Sequence, residues 1–139
     1  MQLLKALTFC FIITQLNIAQ WTNPDLTLTG RQIQCFVKQD LSVLAGTNGG
    51  LVSSTNNGQS WSNTGGGGLP YSNVRALLKV ESYPFNVLAG MVSGRISMST
   101  NFGDNFTAFP AESEQLPFLA DINCILERGN SSNFLVGTE

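Results

Sequence analysis

Ser42 to Trp61 reads SVLAGTNGGLVSSTNNGQSW, and Asn86 to Phe106 reads NVLAGMVSGRISMSTNFGDNF. The second stretch echoes the first, with a one-residue difference in the first turn. Leu44-Ala45-Gly46 returns 44 positions later as Leu88-Ala89-Gly90, and Ser54-Thr55-Asn56 returns 45 positions later as Ser99-Thr100-Asn101. A third copy opens at Leu135-Val136-Gly137, with Leu135 lying 47 positions beyond Leu88. A period of this size implies a repeat architecture, in which each unit buries its apolar surface against its neighbours.

Upstream of each copy lies a second apolar run: IQCFVKQ from Ile33, VRALLKV from Val74 and INCILER from Ile122. Read with the two-residue period of a strand, Ile33, Cys35 and Val37 share one face. So do Val74, Ala76, Leu78 and Val80, and so do Ile122, Cys124 and Leu126. Four short strands per unit follow. The first unit has Ile33–Gln39, Leu41–Thr47, Gly50–Thr55 and Ser60–Asn63. The second has Val74–Val80, Asn86–Met91, Arg95–Thr100 and Asn105–Phe109. Asn48-Gly49-Gly50, Asn57-Gly58, Ser93-Gly94 and Phe102-Gly103 are the turns, placed where tight hairpins need positive φ. Four antiparallel strands in about 45 residues is the pattern of a propeller blade. The expected fold is all-β, with about two and a half blades. The divisions are 1–19 signal peptide, 20–32 lead-in, 33–73 first blade, 74–121 second blade and 122–139 partial third blade.

The hairpin between the third and fourth strands of the first unit carries Ser54, Asn56, Gly58, Ser60 and Trp61. The second unit has Ser99, Asn101, Gly103, Asn105 and Phe106 at the matching places. These residues resemble the Asp-box, or BNR, motif: Ser, any, Asp, any, Gly, any, Ser or Thr, Trp. Asn replaces Asp in both copies, and the second lacks the hydroxyl before its aromatic. The wider stretch, about Ile33 to Glu139, looks like the blades of exported Asp-box β-propellers. Sialidases, the sortilin ectodomain, some xyloglucan-cleaving enzymes and the photosystem II assembly factor family use such blades. The resemblance implies a structural role for Ser54, Asn56, Gly58, Ser60, Trp61, Ser99, Asn101, Gly103 and Phe106, on the rim and away from the axis where substrates bind. Local chemistry agrees. An Asx side chain bonds the amides of its own turn, glycine supplies positive φ, and the aromatic ring buries between sheets. Trp61 is expected to be the buried anchor.

Composition limits the chemistry. Nine acids against seven bases give a net charge of −2, so no basic field points to nucleic acid. The chain has no histidine, which removes the commonest general base and metal ligand. No cysteine and histidine spacing suits a metal, and no cofactor motif is present. Thr64 to Pro70, TGGGGLP, lacks the Lys-Ser/Thr of a phosphate loop and reads as a flexible connection between blades. Glycoside hydrolysis needs two suitably spaced carboxylates, and Glu112 and Glu114 fall in a polar, Pro-bounded loop. Arg75, with Gln34 and Asn123 at equivalent places, either lines a central channel or bonds between blades; the second reading is preferred. Trp21, Tyr71 and Tyr83 are the stacking candidates for a sugar, although ordinary loop packing explains each. No catalytic residue stands out.

The N-terminus reads as an export signal: Lys5, the apolar run Ala6–Ile13, and Ala19 at a cleavage point. The run is too short to span a bilayer, and no later segment is long and apolar enough. Cys35, Ala76 and Cys124 occupy equivalent places, so both cysteines are expected as small buried residues. A disulfide, the usual alternative in an exported chain, is disfavoured because the first and third units of a radial repeat hold them apart. The sequence stops in the second strand of its third unit. It therefore reads as a piece of a longer propeller, unless several copies complete a ring. The function expected is an exported, non-catalytic module that binds a protein or glycan or serves assembly. The alternative is a fragment of a carbohydrate-active enzyme.

Overall fold

A computed structural model describes residues 28–64, 67–81, 86–109, 120–129 and 133–139. The expected signal peptide, Trp21, Tyr83, Glu112 and Glu114 lie outside them. Three antiparallel sheets are present. The first has β1 (Ile33–Gln39), β2 (Ser42–Thr47), β3 (Gly50–Ser54) and β4 (Ser62–Asn63) in sequential order. The second repeats that order with β5 (Val74–Lys79), β6 (Val87–Met91), β7 (Ile96–Ser99) and β8 (Thr107–Ala108). The third pairs β9 (Ile122–Glu127) with β10 (Phe134–Thr138). These are two four-stranded blades and part of a third, as the repeat predicts.

The turns obey the predicted chemistry. Asn57-Gly58, Ser93-Gly94 and Phe102-Gly103 all take positive φ, as does Gly50. Phe102 is the unusual member, because a bulky side chain resists this region. Its ring packs against the first core cluster, which offsets that strain.

One expectation fails in an informative way. The register shifts at the same point in all three units: between Ile33 and Cys35, between Val74 and Ala76, and opposite Ile122 and Cys124. The extra residue of such a bulge reverses the facing of everything before it. Cys35 therefore stands opposite Gly46, while Ile33 stands opposite Thr47, one pleat further on. Ile33 shares a face with Phe36, not with Cys35 and Val37. Burial shows the consequence in β9: Ile122 and Ile125 are buried, whereas Cys124 and Leu126 are exposed. The strict two-residue alternation read from sequence breaks at the first residue of each unit.

The bulge gives every sheet two different apolar faces, and the core lies between sheets. Leu44 and Leu51 of the first unit meet Val74, Val87, Ala89, Met91 and Phe106 of the second. Ala76, Leu88 and Ile96 of the second meet Ile122 and Ile125 of the third. Gly46 and Gly90 permit this approach. A Cβ on Gly46 would lie 2.9 Å from Val74 Cγ1, and one on Gly90 would lie within the contact limit of Ile122. Any larger residue in the repeated Leu-Ala-Gly would wedge neighbouring sheets apart.

Two further corrections concern the connections and outer strands. The Gly-rich link is docked where it is described: Gly67 bridges to Asn105, and Phe106 N–H donates to Gly67 O at 2.7 Å. The fourth strands are two residues long, shorter than expected, because the amides before them bond side chains of the preceding turn instead of the ladder.

Cys35 and Cys124 are equivalent, each facing the repeated glycine, and both thiols are free. Cys35 is half-buried under the second unit, but Cys124 is exposed, against expectation. No described unit packs over it. Burial pushes the Cys35 thiol up from 9.0 to about 11, with the Gly46 backbone opposing. The folded chain then keeps a proton that the unfolded chain loses. Stability from this thiol is complete below pH 9.0 and drains away as pH rises toward about 11. Cys35→Ala, which copies Ala76, is expected to remove that component of the alkaline fall in denaturant stability. At neutral pH, iodoacetamide should label Cys124 far faster than Cys35, because the thiolate is the nucleophile.

Candidate functional site

The two repeated hairpins have the same internal bonding. Ser54 Oγ accepts from Gly58 N–H at 2.8 Å and from Asn56 N–H at 3.3 Å, while donating to Asn56 Oδ1 at 2.8 Å. Asn56 Oδ1 also accepts from Ser60 N–H at 2.9 Å. In the second unit Ser99 Oγ accepts from Gly103 N–H at 2.8 Å and Asn101 N–H at 3.2 Å, and Asn101 Oδ1 accepts from Asn105 N–H at 3.0 Å. Ser54 and Ser99 are buried, so these bonds satisfy groups that water cannot reach. With Asn at the acidic place, Asn56 Nδ2 donates to Ser60 Oγ at 2.7 Å, where a carboxylate would instead accept from the hydroxyl.

The aromatic residues differ. Phe106 is buried within the first core cluster, but Trp61 is only half-buried. The ring expected to anchor the first hairpin is thus the less buried of the two. The second unit's ring has the first unit to pack against.

Polar residues at the starts of the inner strands link adjacent units. Gln34 Nε2 donates to Asn73 Oδ1 at 2.7 Å. One repeat later, Arg75 pairs with Asp121 and, at 3.2 Å, with Glu139. Asp121 Oδ1 accepts from Ser93 N–H at 3.0 Å. Arg75 therefore bonds between blades, the preferred of the two sequence readings. The Asp121 and Glu139 cluster was not singled out from sequence. Its signal was the repeat itself, since Asp121 occupies the place of Asn73. Each Asp121 oxygen is engaged by a protein donor, so the carboxylate serves the joint between units.

A shallow depression of about 340 Å³ lies beside the link between the first two blades, lined by Arg31, Leu51, Asn63, Thr64, Leu69 and Tyr71 among others. Arg31 spans its wall, donating to Gly49 O and to Asn63 Oδ1, both at 2.8 Å. Thr64 Oγ1 is buried and has no hydrogen-bond partner among the described residues. Tyr71, one of the predicted stacking candidates, is exposed at the rim. The volume falls at the lower end of ligand pockets. A partly open aromatic beside amide and guanidinium groups can stack on and bond a polar ring. Among the described residues no group of three or more His, Cys, Asp or Glu side chains could hold a metal. No helix of theirs is long and apolar enough to cross a membrane.

No protein family is matched by the sequence, and no curated protein is significantly similar to it. Among solved structures, the chain is similar to the crystal structure of an ancestral GH74 enzyme, a β-propeller glycoside hydrolase. The TM-score is 0.62 and the identity 26%, over 77% of this chain and 13% of that one. The chain thus spans about an eighth of that enzyme's length. The likeness and the three sheets together establish a β-propeller fold in which about two and a half blades are present.

Proposed function

We propose that this chain is an exported Asp-box propeller module that binds a glycan without cleaving it, using the depression beside Tyr71. The observation that carries the reading is the convergence there of the exposed Tyr71 with Arg31 and Asn63. The duplicated Ser-Asn-Gly bonding of the two hairpins supports the Asp-box assignment. Export rests on the signal-like N-terminus. The likeness to a GH74 enzyme favours a carbohydrate over a protein ligand.

The second reading, a fragment of a glycoside hydrolase, is favoured by that same likeness. It is opposed by the Asp121 carboxylate being engaged by Arg75 and the Ser93 N–H at the joint between units. Calorimetric titration with a panel of oligosaccharides separates the two. Saturable binding is expected, weakened at least tenfold by Tyr71→Ala, with no release of reducing sugar. Turnover of any member of the panel would favour the enzyme. Binding unaffected by Tyr71→Ala would remove the proposed site.

A further inference from the structure

The bulge gives each sheet one face that inserts into the unit before it and one that receives the unit after it. At the two ends of the described array these faces are left open. Ile33 and Phe36 of the first unit are 50% and 71% exposed. Their equivalents are Val74 and Leu77, then Ile122 and Ile125. Val74, Ile122 and Ile125 are buried against the preceding unit, and Leu77 packs there too. At the other end, Leu126 and Leu135 of the third unit are 60% and 55% exposed. Leu135 is the equivalent of Leu44 and Leu88, which are buried under the following unit. Cys124 and Gly137 form the same small-residue notch as Cys35 and Gly46, which receives Val74.

We infer that the open face of the third unit is a docking surface for the first unit of a second copy of this chain, joined head to tail. Both kinds of surface already occur in the chain in partnered form, at each of its two internal joints. Ile33 would enter the Cys124–Gly137 notch as Val74 enters that of Cys35 and Gly46. The Gly58 turn would cover Leu135 as the Gly103 turn covers Leu44, where a Cβ on Gly103 would lie 2.7 Å from Leu44 Cδ2. The polar link continues in register. Gln34 meets Asn73 and Arg75 meets Asp121 inside the chain. The next pair in the series is Asn123 with Gln32 of the second copy, two amides able to bond each other. Exposed apolar residues gathered on a sheet face are also a liability unless covered. Because the joint is heterologous, it propagates until a ring closes. The inference does not depend on the glycan reading.

Sedimentation of the chain over a wide concentration range tests the joint. Mass-average values at least twice the 15.0 kDa of one chain are expected at the upper end. Phe36→Asp breaks the inserting face and Leu126→Asp the receiving face. Both positions are exposed in the single chain, so circular dichroism and thermal unfolding of the dilute variants should match the parent. Each variant alone should stay monomeric. An equimolar mixture should form a two-chain species and nothing larger, since each variant keeps one intact face. A parent that is monomeric throughout would overturn the inference, whether the N-terminal segment or nothing covers the faces. So would association that survives both substitutions, or a mixture that does not associate.

Discussion

Phe106→Ala is expected to destabilise the chain by about 3–5 kcal/mol, and Trp61→Ala by clearly less, even though Trp is the larger residue. The two rings occupy the same place in successive hairpins, so local sequence treats them alike. Phe106 is 4% exposed and packs in the cluster that holds Leu44, Leu51 and Val87 together across the first two sheets. Removing its ring loses apolar burial and leaves a cavity walled by both sheets, which cannot fully collapse. The Gly67 link also bonds Phe106 through its backbone, so the wall on that side is fixed. Trp61 is half-buried and borders solvent, so the space its truncation leaves opens to water rather than forming a closed cavity. Guanidinium unfolding of both variants, compared at equal slope, checks the order. An equal or larger loss for Trp61→Ala would mean that the first unit's ring is covered by something beyond the described residues.

Much of the architecture was legible in the sequence because it is written twice in full and a third time in part. Leu-Ala-Gly, Ser-Thr-Asn and the Gly turns each encode a local constraint, and repetition separates them from chance. The bulge was not legible. Ile33, Val74 and Ile122 look like the first members of an alternating series, and no residue marks the place where the chain inserts one extra position. Only the pairing of Cys35, Ala76 and Cys124 with glycines shows that the register has slipped. The error then spread to burial. Cys124 was expected inside because Cys35 is, but burial in a repeat belongs to a pair of units rather than to one. The Arg75 link was half legible: its place on the inner strand was read correctly, but its partners lie 46 and 64 residues away. The depression beside Tyr71 depends on Arg31 reaching Gly49 and Asn63, a contact that no local motif encodes.

The second large effect separates three leucines that the sequence makes identical. Leu44→Ala and Leu88→Ala should each cost about 2–5 kcal/mol, because both side chains are essentially dry, at 0% and 1% exposed. Leu135→Ala should cost under about 1 kcal/mol in the dilute chain, since more than half of its surface already meets water. The Leu44 value also carries a coupling. Its methyl groups press on the Gly103 turn, which holds φ +101 and has no room for a Cβ on that side. Gly103→Ala is therefore strained in itself and overpacked against Leu44. Combined with Leu44→Ala it should cost less than the sum of the two single losses, because the cavity accepts the added methyl. Leu135 tests the repeat from the other direction. If a second copy seats on the third sheet, Leu135 takes up the environment of Leu44, and folding becomes linked to association. The cost of Leu135→Ala should then climb with chain concentration toward that of Leu44→Ala, whereas the Leu44→Ala cost should not. A Leu135→Ala cost that stays flat across the concentration range would show that the third sheet keeps its face to solvent.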